Sequence, residues 1–316
     1  MPASPRLDGV LVPLVTPFTA EGGIALDALD GLARHVLDAG AAGVVALGTT
    51  AEASALDPVE RSAVVRVCER VCAERGASLV VGAGGADTRG SAEALRALAE
   101  HPAVTAALVP VPYYVRPGTA GVLAHFAALV EASPVPMVVY HVPYRSGQAL
   151  DAPTLRELGR LPGVVGVKYS AGAVDATAVD LLGDRPAGFR VLAGDDVLLA
   201  PMLALGAEGG ILASAHLATG RFAEAVDAWR AGDLPLARAL AARLARLSAA
   251  LFAGPNPTVV KAVLHATGRI PSPAVRLPLL AADRAAVTDA LAALADLVPD
   301  DATTAFATAG GAVAGG

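Results

Sequence analysis

Lysine is almost absent from this chain: of its 24 basic residues only Lys168 and Lys261 are lysines, and the rest are arginines. A chain that meets its need for positive charge with arginine keeps a lysine where a guanidinium cannot serve. The leading task of that kind is to act as a free amine, which arginine never is. Cysteine is equally scarce. Cys68 and Cys72 stand one helical turn apart, and two ligands do not make a structural zinc site, so they read as small buried helix residues rather than a redox pair. No grouping of His, Asp and Glu has metal-ligand spacing, and neither a metal nor a cofactor is expected. Basic clusters are also missing and the net charge is −6, which argues against nucleic acid or an anionic membrane as partner. No run reaches the roughly 18 uncharged apolar residues that span a bilayer. The opening residues, Met1-Pro2-Ala3-Ser4-Pro5-Arg6-Leu7-Asp8, lack the charged-then-apolar design of a secretory leader. The expected compartment is the cytoplasm.

What the chain does have is apolar residue, 54% of its 316 positions, set out as short strands alternating with helices. Segments 9–17, 43–47, 79–81, 104–109, 136–140, 164–168, 189–193 and 210–212 read as strands. Between them, residues 27–38, 57–74, 91–100, 119–132, a stretch opening at Asp151, 174–182 and 196–205 read as helices, with Asp57 as a cap and Pro58 at a first helical position. Alternation of this kind implies a parallel sheet covered by helices. Eight such units close it into a (β/α)8 TIM barrel, a fold that often runs to about 250 residues. An open doubly wound sheet is the weaker choice, because Gly82-Ala83-Gly84-Gly85 lacks the later glycine of a dinucleotide fingerprint. The expected organisation is a barrel over 1–219, an Ala-, Leu- and Arg-rich C-terminal helical appendage over 220–300 that packs on the barrel or a partner subunit, and a disordered low-complexity tail over 301–316.

Chemistry in such a barrel sits at the carboxyl ends of the strands. Lys168 ends the sixth, in Gly163-Val164-Val165-Gly166-Val167-Lys168, where a buried ammonium is costly to desolvate and the neutral, nucleophilic amine is favoured. The bland alternative is a lysine that snorkels to a surface carboxylate. Around the same mouth the fold would bring Thr49 and Thr50, Tyr113 and Tyr114, Tyr140, Gly194-Asp195-Asp196 and Ile211. Singly, these could be turn residues, rim aromatics or helix caps. Jointly they suit carbonyl chemistry: an amine to form an imine, phenols to shuttle protons, and turn amides with hydroxyls to hold a carboxylate. Of His141 and His216, also near strand ends, one reads as a hydrogen-bonded support.

Gly48-Thr49-Thr50-Ala51-Glu52, Pro112-Tyr113-Tyr114, Tyr140-His141-Val142-Pro143-Tyr144-Arg145-Ser146-Gly147, Gly166-Val167-Lys168, Gly194-Asp195-Asp196 and Asn256-Pro257, in this order, resemble the dihydrodipicolinate synthase family of pyruvate-dependent class I aldolases and lyases. The resemblance implies a Schiff base between Lys168 and pyruvate, whose carboxylate Thr49 and Thr50 would hold. It implies a proton relay of Tyr140, Thr50 and Tyr114, the last reaching into a neighbouring subunit. Gly194 and Ile211 would shape the pyruvate pocket. Arg145 would grip the carboxylate of L-aspartate 4-semialdehyde, which favours condensation to 4-hydroxy-tetrahydrodipicolinate over cleavage of a hydroxy keto acid or sugar acid. A homotetramer is the implied assembly. His141 stands where asparagine is common and is expected near the second substrate. Tyr169 replaces the usual acid and, by strand alternation, is expected to face the helices. Pro58 and Arg61 replace histidines of lysine-sensitive members, so lysine feedback is expected to be weak or absent.

Overall fold

The computed structural model describes residues 7–297, and the tail over 301–316 lies outside the described residues. The strands are β1 Gly9–Pro13, β2 Gly43–Ala46, β3 Ser78–Gly82, β4 Val104–Pro110, β5 Met137–His141, β6 Val164–Tyr169, β7 Arg190–Ala193 and β8 Gly209–Ile211. Each pairs in parallel with the next, and β8 returns to β1 to close the ring. The helices are α1 Leu26–Asp38, α2 Pro58–Arg75, α3 Thr88–Arg96, α4 Gly118–Ala132, α5 Pro143–Ser146, α6 Ala152–Gly159, α7 Ala176–Gly183, α8 Leu199–Ala204, α9 Ala215–Ala231, α10 Leu234–Leu251, α11 Thr258–Ala266 and α12 Arg284–Ala295. The chain thus forms the expected (β/α)8 barrel followed by C-terminal helices.

Two apolar compartments follow from the period of two along each strand. Leu11, Val45, Val80, Leu108, Val138 and Leu192 fill the ring. Their neighbours Val10, Val12, Val44, Val81, Val139 and Val191 face outward, into the layer shared with the helices.

Where the boundaries differ from expectation, a particular bond decides. β1 stops at Pro13 rather than residue 17: the Leu14 N–H still reaches Val45 O at 3.0 Å, but the Val15 N–H is taken by Nε2 of His216 at 3.1 Å. A side chain has replaced the next strand. α3 opens at Thr88 because the Asp87 carboxylate accepts the Gly90 N–H. The Asp57 cap is part of a full capping box with Glu60. Helix α9 starts at Ala215 with non-helical dihedrals at Ala218, and so runs across the expected division at 219. The short α5 was not legible in the periodicity. It is set by Pro143 in its first turn and by Gly147 in the left-handed region at φ 70°.

The C-terminal region is tied to the barrel through the loop between β2 and α2. Lys261, on α11, is wholly buried; its ammonium donates to Thr16 O at 2.9 Å and to Glu52 Oε1 at 2.8 Å, and lies 3.9 Å from the centre of the Phe18 ring. Burial pushes this amine below its ordinary range, while Glu52 acts in the opposite sense. The other oxygen of Glu52 accepts the Arg276 N–H at 2.8 Å, and the Arg276 guanidinium forks onto Glu60 with both contacts at 2.6 Å. That fork holds the Glu60 carboxyl down at about 2. Removing one member of a buried pair strands the other charge, at a cost of about 3–5 kcal/mol. Lys261→Met is therefore expected to lose about that much stability in urea denaturation, and Lys261→Met with Glu52→Gln to recover most of it.

Candidate active site

The orientation of Lys168 depends on an irregularity in β6. Met137 pairs with Val164, but Val138 pairs with Gly166, so Val165 is an extra residue on one side of the ladder. Val164, Val167 and Tyr169 face the helix layer, whereas Val165 packs against the interior of the ring. Unbroken alternation from Val164 would send Lys168 outward. The extra residue shifts the phase and turns it in. Gly166 makes room for the shift, since a Cβ there would lie 2.6 Å from Arg190 O.

Once inward, Lys168 is 7% exposed and sits directly across the ladder from Tyr140, with Nζ 4.4 Å from the centre of the phenol ring. Both line a cavity of about 350 Å³ at the carboxyl end of the barrel. Gly194 forms the wall beside the lysine stem; a Cβ would come within 2.9 Å of Lys168 Cγ and Cε and nearer still to Ser170 Oγ. Ile211 and Pro13 border the same space. The ion-paired lysine is the other one, Lys261.

A 3-10 turn, Thr49–Ala51, supplies another wall. Its internal bonds run from the amides of Ala51 and Glu52, which leaves those of Thr49 and Thr50 at its open end. The turn is gripped from behind: Thr16 Oγ1 donates to Ala51 O at 2.7 Å, and Glu52, in the left-handed region at φ 53°, is held by Lys261 and Arg276. Asn256 Nδ2 donates to Thr50 Oγ1 at 2.9 Å. That hydroxyl therefore accepts from the C-terminal side of the cavity and directs its own proton elsewhere. Tyr144 and Arg145, on α5, stand exposed at the mouth.

Of the residues singled out in the sequence, Lys168, Tyr140, Thr49, Thr50, Arg145, Gly194 and Ile211 border this one cavity. Tyr114 does not. It is 90% exposed, at φ 70°, with Tyr113 and Val115 exposed beside it. A wider hollow of about 680 Å³ adjoins the first; Thr49, Tyr140 and Arg145 border both, and Tyr113 and Arg61 line its far side. The expectation for His141 is corrected. As the neighbour of inward-facing Tyr140 it points the other way, is 1% exposed, and packs against Tyr169 with ring centres 5.1 Å apart. Tyr169 faces the helices as expected and donates to Asp175 at 2.7 Å. His216 is the hydrogen-bonded support, with Nδ1–H to Ala213 O at 2.7 Å and Nε2 accepting from Val15. Sequence reasoning gave no role to Asn256 or Tyr144. The Asn-Pro pair was the only available signal for the first, and its reach to Thr50 spans 206 positions.

Burial dominates the electrostatics around the cavity. It lifts the Asp196 carboxyl to about 6, against bonds from Ser214, and raises Asp195, against the Gly172 N–H and Lys168. It lowers His141 and His216 to about 4 each, so both are neutral at ordinary pH. Cys68 and Cys72 are buried free thiols pushed far up by the same cause, in keeping with an inert role. Among the described residues no group of three or more His, Cys, Asp or Glu could hold a metal ion.

The sequence model of the dihydrodipicolinate synthetase family matches residues 6–296. A 4-hydroxy-tetrahydrodipicolinate synthase of Moorella thermoacetica is 38% identical over 276 residues, which cover 87% of this chain and 93% of that protein. The fold is similar to the chloride-inhibited dihydrodipicolinate synthase of Acinetobacter baumannii complexed with pyruvate, with a TM-score of 0.87, 32% identity, and 92% and 98% of the two chains covered. It is similar also to a structure described as a monomeric dihydrodipicolinate synthase variant, with a TM-score of 0.87, 28% identity, and 92% and 96% covered.

The depressed His141 gives a pH signature. The unfolded chain binds a proton at this ring near the ordinary value of 6.5 and the folded chain only near 4, so its stabilising share is complete above the first value and is lost as pH falls toward the second. His141→Asn, which cannot titrate, is expected to lose less of its urea midpoint between about pH 7 and pH 5 than the parent does. Equal losses would contradict the burial argument.

Proposed function

Since the chain belongs to the dihydrodipicolinate synthetase family, we propose that it is a Schiff-base-forming lyase that condenses pyruvate with L-aspartate 4-semialdehyde to 4-hydroxy-tetrahydrodipicolinate, in lysine and diaminopimelate biosynthesis. The observation that carries this reading is an amine without an ion pair among the described residues, facing a phenol and a carboxylate-sized turn across one cavity, with a guanidinium at the mouth.

Lys168 adds to the keto carbon of pyruvate and water leaves, giving an imine; loss of a methyl proton gives the enamine, whose carbon attacks the aldehyde. The amino group of the bound adduct then closes on the imine carbon and releases the lysine. Thr49 and Thr50 hold the pyruvate carboxylate with the open amides of their turn, and Tyr140 gives and takes the protons, passing them to Thr50. The Asn256 bond supports that route, because it turns the Thr50 proton away from the C-terminal side. Arg145 receives the carboxylate of the aldehyde. No cofactor is needed, since the electron sink is the imine itself.

Tyr114 completes the relay from a second copy of the chain, entering through the wider hollow that reaches Thr49 and Tyr140. Its support is its exposure beside Tyr113 and Val115, in a backbone conformation that is costly for a tyrosine. Such a pair would be the unit of the homotetramer that the family resemblance implies, and the compartment proposed is the cytoplasm. His141 and Tyr169 face away from the cavity and so give no support to a different acceptor.

Borohydride added with pyruvate is expected to leave a reduced three-carbon adduct on Lys168 by mass spectrometry, and none in Lys168→Ala. Arg145→Ala is expected to form the adduct normally while losing about 100-fold in kcat/KM for the aldehyde, as removal of a charge-assisted carboxylate contact does. An unmodified Lys168 would end the mechanism. Condensation with sugar aldehydes but not with L-aspartate 4-semialdehyde would move the enzyme to another branch of the family.

A further inference from the structure

Tyr144 sits where the second substrate must enter. It is 64% exposed yet borders the cavity, and helix α5 fixes it beside Arg145 between Pro143 and the left-handed Gly147. Arg145 Nε donates to its hydroxyl oxygen at 3.2 Å, and the guanidinium carbon lies 5.0 Å from the centre of its ring. A guanidinium offers a carboxylate two edges, the side edge formed by Nε with one terminal nitrogen, and the end formed by both terminal nitrogens. With Nε taken, the end edge is the one left to form two parallel bonds.

We propose that Tyr144 is a specificity-determining residue: by occupying Nε it commits Arg145 to an end-on grip, so that the mouth selects a short aldehyde bearing a carboxylate. An end-on hold by two parallel guanidinium N–H bonds suits a planar anion. It leaves the terminal hydroxyls of a sugar acid without a partner, and the bulk of the ring shortens the space in which they would lie. This inference rests on the condensation proposed above, and its test separates the two.

Steady-state kinetics with L-aspartate 4-semialdehyde are compared for the parent, Tyr144→Phe, Arg145→Ala and the double variant, with borohydride trapping of pyruvate measured on each. The ring is kept in Tyr144→Phe, so folding is not the issue. The expected result is a rise of about tenfold in KM for the aldehyde, the loss of one hydrogen bond to a charged group, with kcat, the KM for pyruvate and trapping all within about twofold of the parent. Because the phenol acts through Arg145, the double variant should be no worse than Arg145→Ala alone. Tyr144→Ala should in addition gain activity on longer aldehyde acids. An unchanged aldehyde KM in Tyr144→Phe, an equal rise for pyruvate, or additive losses in the double variant would each overturn the role given to Tyr144. A parent enzyme that traps pyruvate but does not turn over this aldehyde would overturn the substrate reading itself, and the selection inferred from it would fall too.

Discussion

Lys168 stands opposite Tyr140 across two parallel strands, and the proposed chemistry depends on that pairing and on the side of the sheet to which it points. Side chains in a strand alternate, so a shift of one residue exchanges the lysine for Tyr169, which faces the helices. What decides between the two is the extra residue at Val165 and the glycine that follows it. A bulge is used here to aim a side chain. The same ordering turns His141 away from the cavity, so the residue that most departs from the family pattern at this strand end lies in the packing layer.

The second lysine supports the first at a distance. The carboxylate binding proposed for Thr49 and Thr50 needs a turn with open amides in a fixed place, and that turn is held by Thr16, by Glu52 in a left-handed conformation and by Asn256. Lys261 bonds to two of these three and is fully enclosed, against the face of Phe18. A compact ammonium with three donors suits such an enclosure better than a planar fork does. On the proposed mechanism the scarcity of lysine has one physical explanation at both positions: each needs a property of the amine that arginine lacks. The C-terminal helices, which read as a packing surface, also contribute the loop that carries Asn256 to the cavity wall.

The barrel was legible because its signal is periodic and local: eight apolar segments, each bounded by turn residues and followed by a helix-forming stretch. Most of the cavity was legible for a related reason, since the fold sends the ends of all its strands to one mouth and the reactive residue types fall there. What was hidden is of another kind. The phase of β6 depends on a mismatch with its neighbour and cannot be read from either strand alone. The end of β1 at Pro13 depends on a histidine 201 positions beyond Val15. Helix α5 is too short to show a period, and so the placement of Tyr144 beside Arg145 was not visible. Tyr114 was placed at the right end of the barrel, but in a single chain its side chain faces outward.

Whether the phase shift in β6 presents the Lys168 amine to pyruvate inside the ring is decided by a crystal structure of the enzyme grown with pyruvate. Continuous density is expected from Lys168 Nζ to the keto carbon, beneath Tyr140, with the carboxylate against the amides of Thr49 and Thr50. Pyruvate resting elsewhere, or a Lys168 side chain turned toward the helices, would contradict it.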